Sequence, residues 1–144
     1  MQITFTVPGE PMGKERPRFG KGHTYTPEKT KTYEDAVRTA YKLSVVRNKF
    51  SGFSSSPVQM EITAYMPIPK SRSKRDKAAM AANELLPTVK PDWDNIGKII
   101  CDALNGMAYD DDKQVTLCTV AKRYAEIPCV KVMIKEDKPC LLQS

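Results

Sequence analysis

Residues 90–115 read KPDWDNIGKIICDALNGMAYDDDKQV, and this stretch decides both architecture and chemistry. Asp94 stands before an apolar periodic run and Asn105-Gly106 closes it, so the pattern predicts a helix over 95–104 with Asp94 as N-cap. Ile96, Ile99, Ile100, Ala103 and Leu104 then share one face at the i, i+3, i+4, i+7, i+8 spacing and pack on a sheet. Asp94, Lys98 and Asp102 follow at i, i+4, i+8 along a different face. Asp92 precedes Asp94 by two residues of extended chain, so both side chains can project to one side and share a cation near the positive helix start. The Asn105-Gly106 turn sends the chain back. A following strand can therefore return Asp110, Asp111 and Asp112 toward the first pair.

Outward from this segment the chain alternates strand and helix patterns. Residues 2–7 alternate polar and apolar, as does 58–66, and each reads as a half-buried strand. Thr26-Pro27-Glu28 is a helix start with Thr26 at N-cap, and the helix runs to about Val46 with Tyr33, Val37, Ala40, Tyr41 and Ser44 on its buried stripe. A short helix falls over 73–84. Residues 114–125 and 129–135 read as two strands, and Pro128 in the turn between them suggests a hairpin. Gly13 to Thr26 lacks periodicity and reads as a loop. The order β-α-β-α-α-β-β implies a single α+β domain with a mixed β-sheet packed by helices, over residues 1–136. Residues 137–144 form a frayed C-terminal tail.

The chain has 144 residues, of which 40% are hydrophobic and 28% charged, as in an ordinary globular domain. No run approaches the roughly 20 apolar residues of a membrane span, and the N-terminus lacks the plan of a signal peptide. A cytoplasmic protein is expected. Cys101, Cys118, Cys129 and Cys140 match neither a zinc spacing nor a disulfide framework and read as core or incidental thiols. With His23 as the single histidine, a zinc site is not expected.

Net charge is +6, and the pI is near 9.1. Five aspartates at 92, 94 and 110–112 in so basic a chain repel one another unless a cation compensates. Oxygen ligands of this kind suit Mg²⁺, with water and a substrate phosphate completing the coordination. Such a metal would generate the attacking hydroxide and neutralise transition-state charge, with Lys98 facing the phosphate. Solvated turns also carry aspartates, and Lys98 can simply pair with Asp94 or Asp102 for about 0.2–0.5 kcal/mol. A calcium loop is excluded, because Asp92, Asp94 and Gly97 at positions 1, 3 and 6 are followed by Ala103 at position 12.

The same stretch resembles the signature of the RusA family of Holliday junction resolvases: K-P-D-x-D-N-x-x-K, then D-A-L-N-G, then D-D-x-Q-V. PGEPMGKERPRF and YTPEKTKTYEDAVR, nearer the N-terminus, are similar to the start of phage and prophage members, so the resemblance spans residues 1 to about 135. It implies a homodimeric endodeoxyribonuclease that cuts four-way DNA junctions by paired symmetric nicks in recombination and repair, with Mg²⁺ or Mn²⁺ and no small-molecule cofactor. It implies that Asp92, Asp94, Lys98 and Asp112 are catalytic, and that Asp92, Asp94, Asp112 and Asp111 hold the metal. Asp110 is extra in this chain, which leaves open which of the three faces the metal.

Basic residues cluster in two places: Lys14, Arg16, Arg18 and Lys21, and Lys70, Arg72, Lys74, Arg75 and Lys77. They read either as solubilising loops or, beside a metal site, as contacts to the DNA backbone. Lys14, Arg16, Arg18, Lys70, Arg72, Lys74 and Arg75 are the expected DNA-binding set. Phe19 or Tyr25 can stack on bases or merely pack. Two other functions remain open: a junction-binding protein that does not cut, and a nuclease of broader flap or fork specificity.

Overall fold

The computed structural model describes residues 1–138. In chain order the elements are β1 (Gln2–Pro8), β2 (Arg18–Gly20), β3 (His23–Tyr25), α1 (Glu28–Asn48), β4 (Val58–Pro67), α2 (Lys74–Ala81) and α3 (Trp93–Leu104). A 3₁₀ turn (Asp112–Gln114), β5 (Val115–Ala125) and β6 (Cys129–Glu136) follow. The result is the expected α+β domain with one mixed sheet, ordered β1-β6-β4-β5. β4 and β5 run parallel, whereas β6 is antiparallel to both β1 and β4. The parallel pair needs a crossover, and α2 and α3 supply it.

Strand alternation sets which face is buried. Val58, Met60, Ile62 and Ala64 of β4 and Val130, Val132 and Ile134 of β6 are fully enclosed, with Ile3, Phe5 and Val7 of β1 beside them. The helical side of this core is Tyr33, Val37 and Tyr41 of α1 and Ile96, Ile99, Ile100, Ala103 and Leu104 of α3, the faces expected from the spacing. α1 lies on β1 and α3 on β5. Side chains stitch the layers: Ser44 Oγ donates to the Thr4 carbonyl at 2.8 Å. Arg38 Nε donates at 3.0 Å to the Ala103 carbonyl, one of the otherwise unpaired acceptors at the end of α3. Among the described residues no helix is long and apolar enough to cross a membrane.

The structure corrects several expectations. β5 and β6 do not form a hairpin; they flank β4. Two strand spacings are about 9.6 Å, within reach of the three residues 126–128. β6 takes the central place because its apolar alternation is complete, whereas β5 is only partly covered along its length. Residues 13–26 are not wholly irregular: β2 and β3 pair as a small antiparallel ribbon. Pro27, not Thr26, is the N-cap of α1, and the helix continues to Asn48. Asp92, not Asp94, is the N-cap of α3. The expected fraying does not begin at Asp137, which accepts from Gln59 Nε2 at 2.8 Å and from the Thr116 hydroxyl, while its own N–H donates to Pro57 O at 2.8 Å. The rest of that expectation, and Cys140, fall at 139–144, outside the described residues.

Candidate active site

α3 starts with Asp92 in extended backbone, its carboxylate making no capping hydrogen bond, and Asp94 sits within the first turn. One and two turns later come Lys98 and Asp102. Asp94, Lys98 and Asp102 therefore line one open hollow of about 310 Å³ together with Asp112, which arrives from the far side of the turn. The helical spacing put the first three on one face, and the fold brings the fourth to them. Trp93 lines the same hollow and is 63% exposed. Asp92 lines the adjacent hollow with Lys14, Glu15, Lys90 and Asn95.

The return is held by hydrogen bonds. Gly106 at φ 75° makes the reversal in a conformation that disfavours a Cβ. Asn105, the C-cap of α3, accepts the Asp112 N–H on Oδ1 at 2.9 Å, which fixes the acidic turn to the helix end. Asp111 caps the 3₁₀ turn: its Oδ1 accepts from the Lys113 N–H at 2.9 Å, and Gln114 Oε1 accepts from the Asp111 N–H at 2.9 Å. Gln114 Nε2 donates to the carbonyls of Ser54 and Ser56 at 2.8 and 2.9 Å. The two acids of the D-D-x-Q-V element thus differ. Asp112 lines the hollow, Asp111 is engaged in the turn, and Asp110 is exposed.

Burial holds the Asp112 carboxyl above the ordinary carboxylate range, helped by a hydrogen bond with Asp111 and by the charges of Asp111 and Asp102, with Lys98 pulling the other way. Asp112 therefore feels two other carboxylates and one ammonium. This donor set, hard oxygens in excess of local positive charge, fits a hard divalent cation. Among the described residues no three His, Cys, Asp or Glu side chains are grouped to enclose a metal ion.

The basic residues divide into two classes. Lys14 does not face outward as expected: its Nζ stands 2.9 Å from Glu34 Oε2 and 3.3 Å from Asp102 Oδ2. Burial lowers its pKa, but the two acids outweigh burial and the net shift is upward. Arg16 is exposed, and Arg18 opens β2. Lys70, Arg72, Lys74 and Arg75 are all exposed around the start of α2, which Ser73 caps by accepting from the Asp76 N–H at 3.1 Å. Arg72 Nε lies 3.2 Å from Asp76, a contact that solvent screens. Phe19, 75% exposed, and Tyr25, 44% exposed, pack in no core.

Sequence reasoning missed three features of the site. Asp102, besides the expected pair with Lys98 at 3.6 Å, also takes Lys14 at 3.3 Å, which makes it a junction of charge. Glu34 is buried on α1, and an acid four residues after Thr30 and three before Val37 was a readable sign that the stripe needs a cation. Cys101 and Cys118 are half-buried thiols that line the hollow, which nothing in their spacing signals. Their mutual hydrogen bond pushes Cys101 up and Cys118 down.

Two comparisons bear on what this site does. A model of the family described as Endodeoxyribonuclease RusA matches residues 8–135. YqaN of Bacillus subtilis (strain 168), an uncharacterized protein, is 41% identical over 140 residues, covering 93% of this chain and 96% of that protein.

Proposed function

This chain belongs to the RusA endodeoxyribonuclease family, and from that premise we propose that it is a metal-dependent, structure-selective endonuclease resolving four-way DNA junctions in recombination and repair. The observation that carries the reading is the convergence of Asp94, Lys98 and Asp102 of α3 and Asp112 of the following 3₁₀ turn on one open hollow.

Asp94 and Asp112 hold the divalent cation, Mg²⁺ or Mn²⁺. Asp92, in the adjacent hollow at the helix start, joins them as the family resemblance implies. Asp111 supports Asp112 through the turn. The cation supplies Lewis acidity and lowers the pKa of water. Lys98, 61% exposed at its side chain, reaches from the same face toward the scissile phosphate and offsets the charge that develops as a water oxygen bonds to phosphorus and the ester oxygen leaves. Arg16, Arg18, Lys70, Lys74 and Arg75 hold the flanking phosphates, with Arg72 alongside. Lys14 is withdrawn from that set by its ion pairs. The protein works as a C2 homodimer, because a two-fold pair of sites matches the symmetry of a four-way junction.

The test is a panel of end-labelled junctions, forks, flaps and duplexes with Mg²⁺ at several salt concentrations. Paired symmetric nicks in the four-way junction are expected, with log K for binding falling by about 0.9 per phosphate contacted as log salt rises. Equal cutting of flaps and forks would replace junction resolution by a broader branched-DNA activity. Binding without nicking in every divalent metal would leave a non-catalytic junction binder.

A further inference from the structure

Charged residues form a chain from behind the hollow into it, and the reaction above uses only its outer end, Lys98. Glu34 Oε2 lies 2.9 Å from Lys14 Nζ, which lies 3.3 Å from Asp102 Oδ2, and that oxygen lies 3.6 Å from Lys98 Nζ. Signs alternate along the four, and side-chain exposure rises from 9% to 17%, 25% and 61%. The chain runs from the core to the lysine assigned to the phosphate. Its inner part is fixed by backbone contact. The Lys14 N–H donates to Asn95 O at 2.9 Å, and Gly13 lies so close to α3 that a Cβ there would stand 2.9 Å from Pro91 Cβ and 3.0 Å from Asn95 Cβ.

Asp102 Oδ2 is shared between Lys14 at 3.3 Å and Lys98 at 3.6 Å, and without Lys14 it would hold Lys98 alone across one helical turn, because the i, i+4 geometry favours that pair. A lysine held in that pair is drawn away from substrate. We propose that Lys14, braced by Glu34, is a positioning residue: it takes up part of the charge of Asp102, weakens the Lys98–Asp102 pair and so loosens the Lys98 ammonium toward the scissile phosphate. The role given to Lys98 rests on the endonuclease reading; the charge compensation does not. The N-terminal basic loop then has two jobs divided by residue. Arg16 meets DNA from outside, while Lys14 sets the catalytic helix from inside.

Lys14→Met is tested together with Glu34→Gln, so that no buried carboxylate loses its partner. Asp102→Asn is then added to that pair. One readout is the acylation rate of Lys98 by acetic anhydride, followed by mass spectrometry without DNA or metal; the other is kcat and KM for junction nicking with Mg²⁺. In the double variant Lys98 is expected to react about two- to fivefold more slowly, and kcat to fall by a similar factor at unchanged KM. Adding Asp102→Asn is expected to restore both, which a mere structural staple would not do. Asp102→Asn alone, which leaves Lys14 its partner Glu34, should change Lys98 acylation by less than about twofold, because Lys14 already takes up much of the charge of the carboxylate. An acylation rate indifferent to Lys14 and Glu34, a deficit that Asp102→Asn leaves in place or deepens, or a large acceleration by Asp102→Asn alone would each overturn the proposal. A wild-type protein that nicks no junction while Lys98 acylation follows the expected order would refute the endonuclease reading and support the compensation.

Discussion

The two acidic segments of the site are built on opposite plans. Asp92 and Asp94 sit at a helix start where the carboxylates make no capping bond, and the helix dipole offsets part of their charge. Asp111 and Asp112 sit in a turn saturated with hydrogen bonds, with Asn105, Gln114 and the Lys113 N–H all engaged. In the first segment position comes from helical spacing alone. In the second it comes from a network that consumes one acid to aim the next. Neighbouring aspartates in DDD are therefore not equivalent, and the difference is open to direct attack.

The largest contrast lies within the triplet. Asp112→Asn is expected to slow nicking by about 100-fold or more, as loss of a transition-state partner does, whereas Asp110→Asn leaves the rate within about twofold because that side chain is exposed. Equal losses at both positions would erase the distinction. Next comes the network that holds the turn. Gln114→Ala strips partners from Ser54 O, Ser56 O and the Asp111 N–H, and should cost about 1–3 kcal/mol by denaturant unfolding. Asp111→Ala should cost about 1 kcal/mol through the lost cap. A stable Asp111→Ala protein with full activity would make the turn acid dispensable on both counts.

The smallest effect is electrostatic. The Asp112 pKa is raised in the folded protein, so its ionisation opposes folding. That cost is absent below the ordinary aspartate range and is felt in full once pH rises above the folded-state pKa. Asp112→Asn should raise the melting temperature of the metal-free protein by about 1–3 °C at pH 7, and the gain should shrink as pH falls and vanish below about pH 3. Millimolar Mg²⁺ should relieve the same repulsion in wild type by binding the native state, and chelation should reverse it. A melting temperature insensitive to Mg²⁺, to pH and to Asp112→Asn would show that the carboxylates do not sense one another.

Much of this was legible in the sequence, for identifiable reasons. Helical spacing placed Ile96 to Leu104 on the sheet and Asp94, Lys98 and Asp102 on another face, because 3.6-residue periodicity fixes both at once. Period-two alternation likewise found the buried faces of β4 and β6. What alternation cannot specify is which strand neighbours which, so the expected hairpin gave way to β6 lying between β4 and β1. The start of α3 moved because Asp92 and Asp94 are both acceptable N-caps, and local propensity does not separate them. From sequence Lys14 reads as a DNA contact because a basic residue in a Gly/Pro loop looks solvated. Only the three-dimensional approach of Gly13 to α3 shows that it faces Glu34 and Asp102.

The central claim is that the hollow shared by Asp94, Lys98 and Asp112 cuts branched DNA. Single-turnover cleavage of a labelled four-way junction with Mg²⁺, wild type against Asp94→Asn, tests it most directly. The expected result is paired symmetric nicking by wild type and a loss of about 100-fold or more in the variant, with junction binding unchanged or tighter because one charge repelling phosphate is gone. Nicking by Asp94→Asn at the wild-type rate would contradict it.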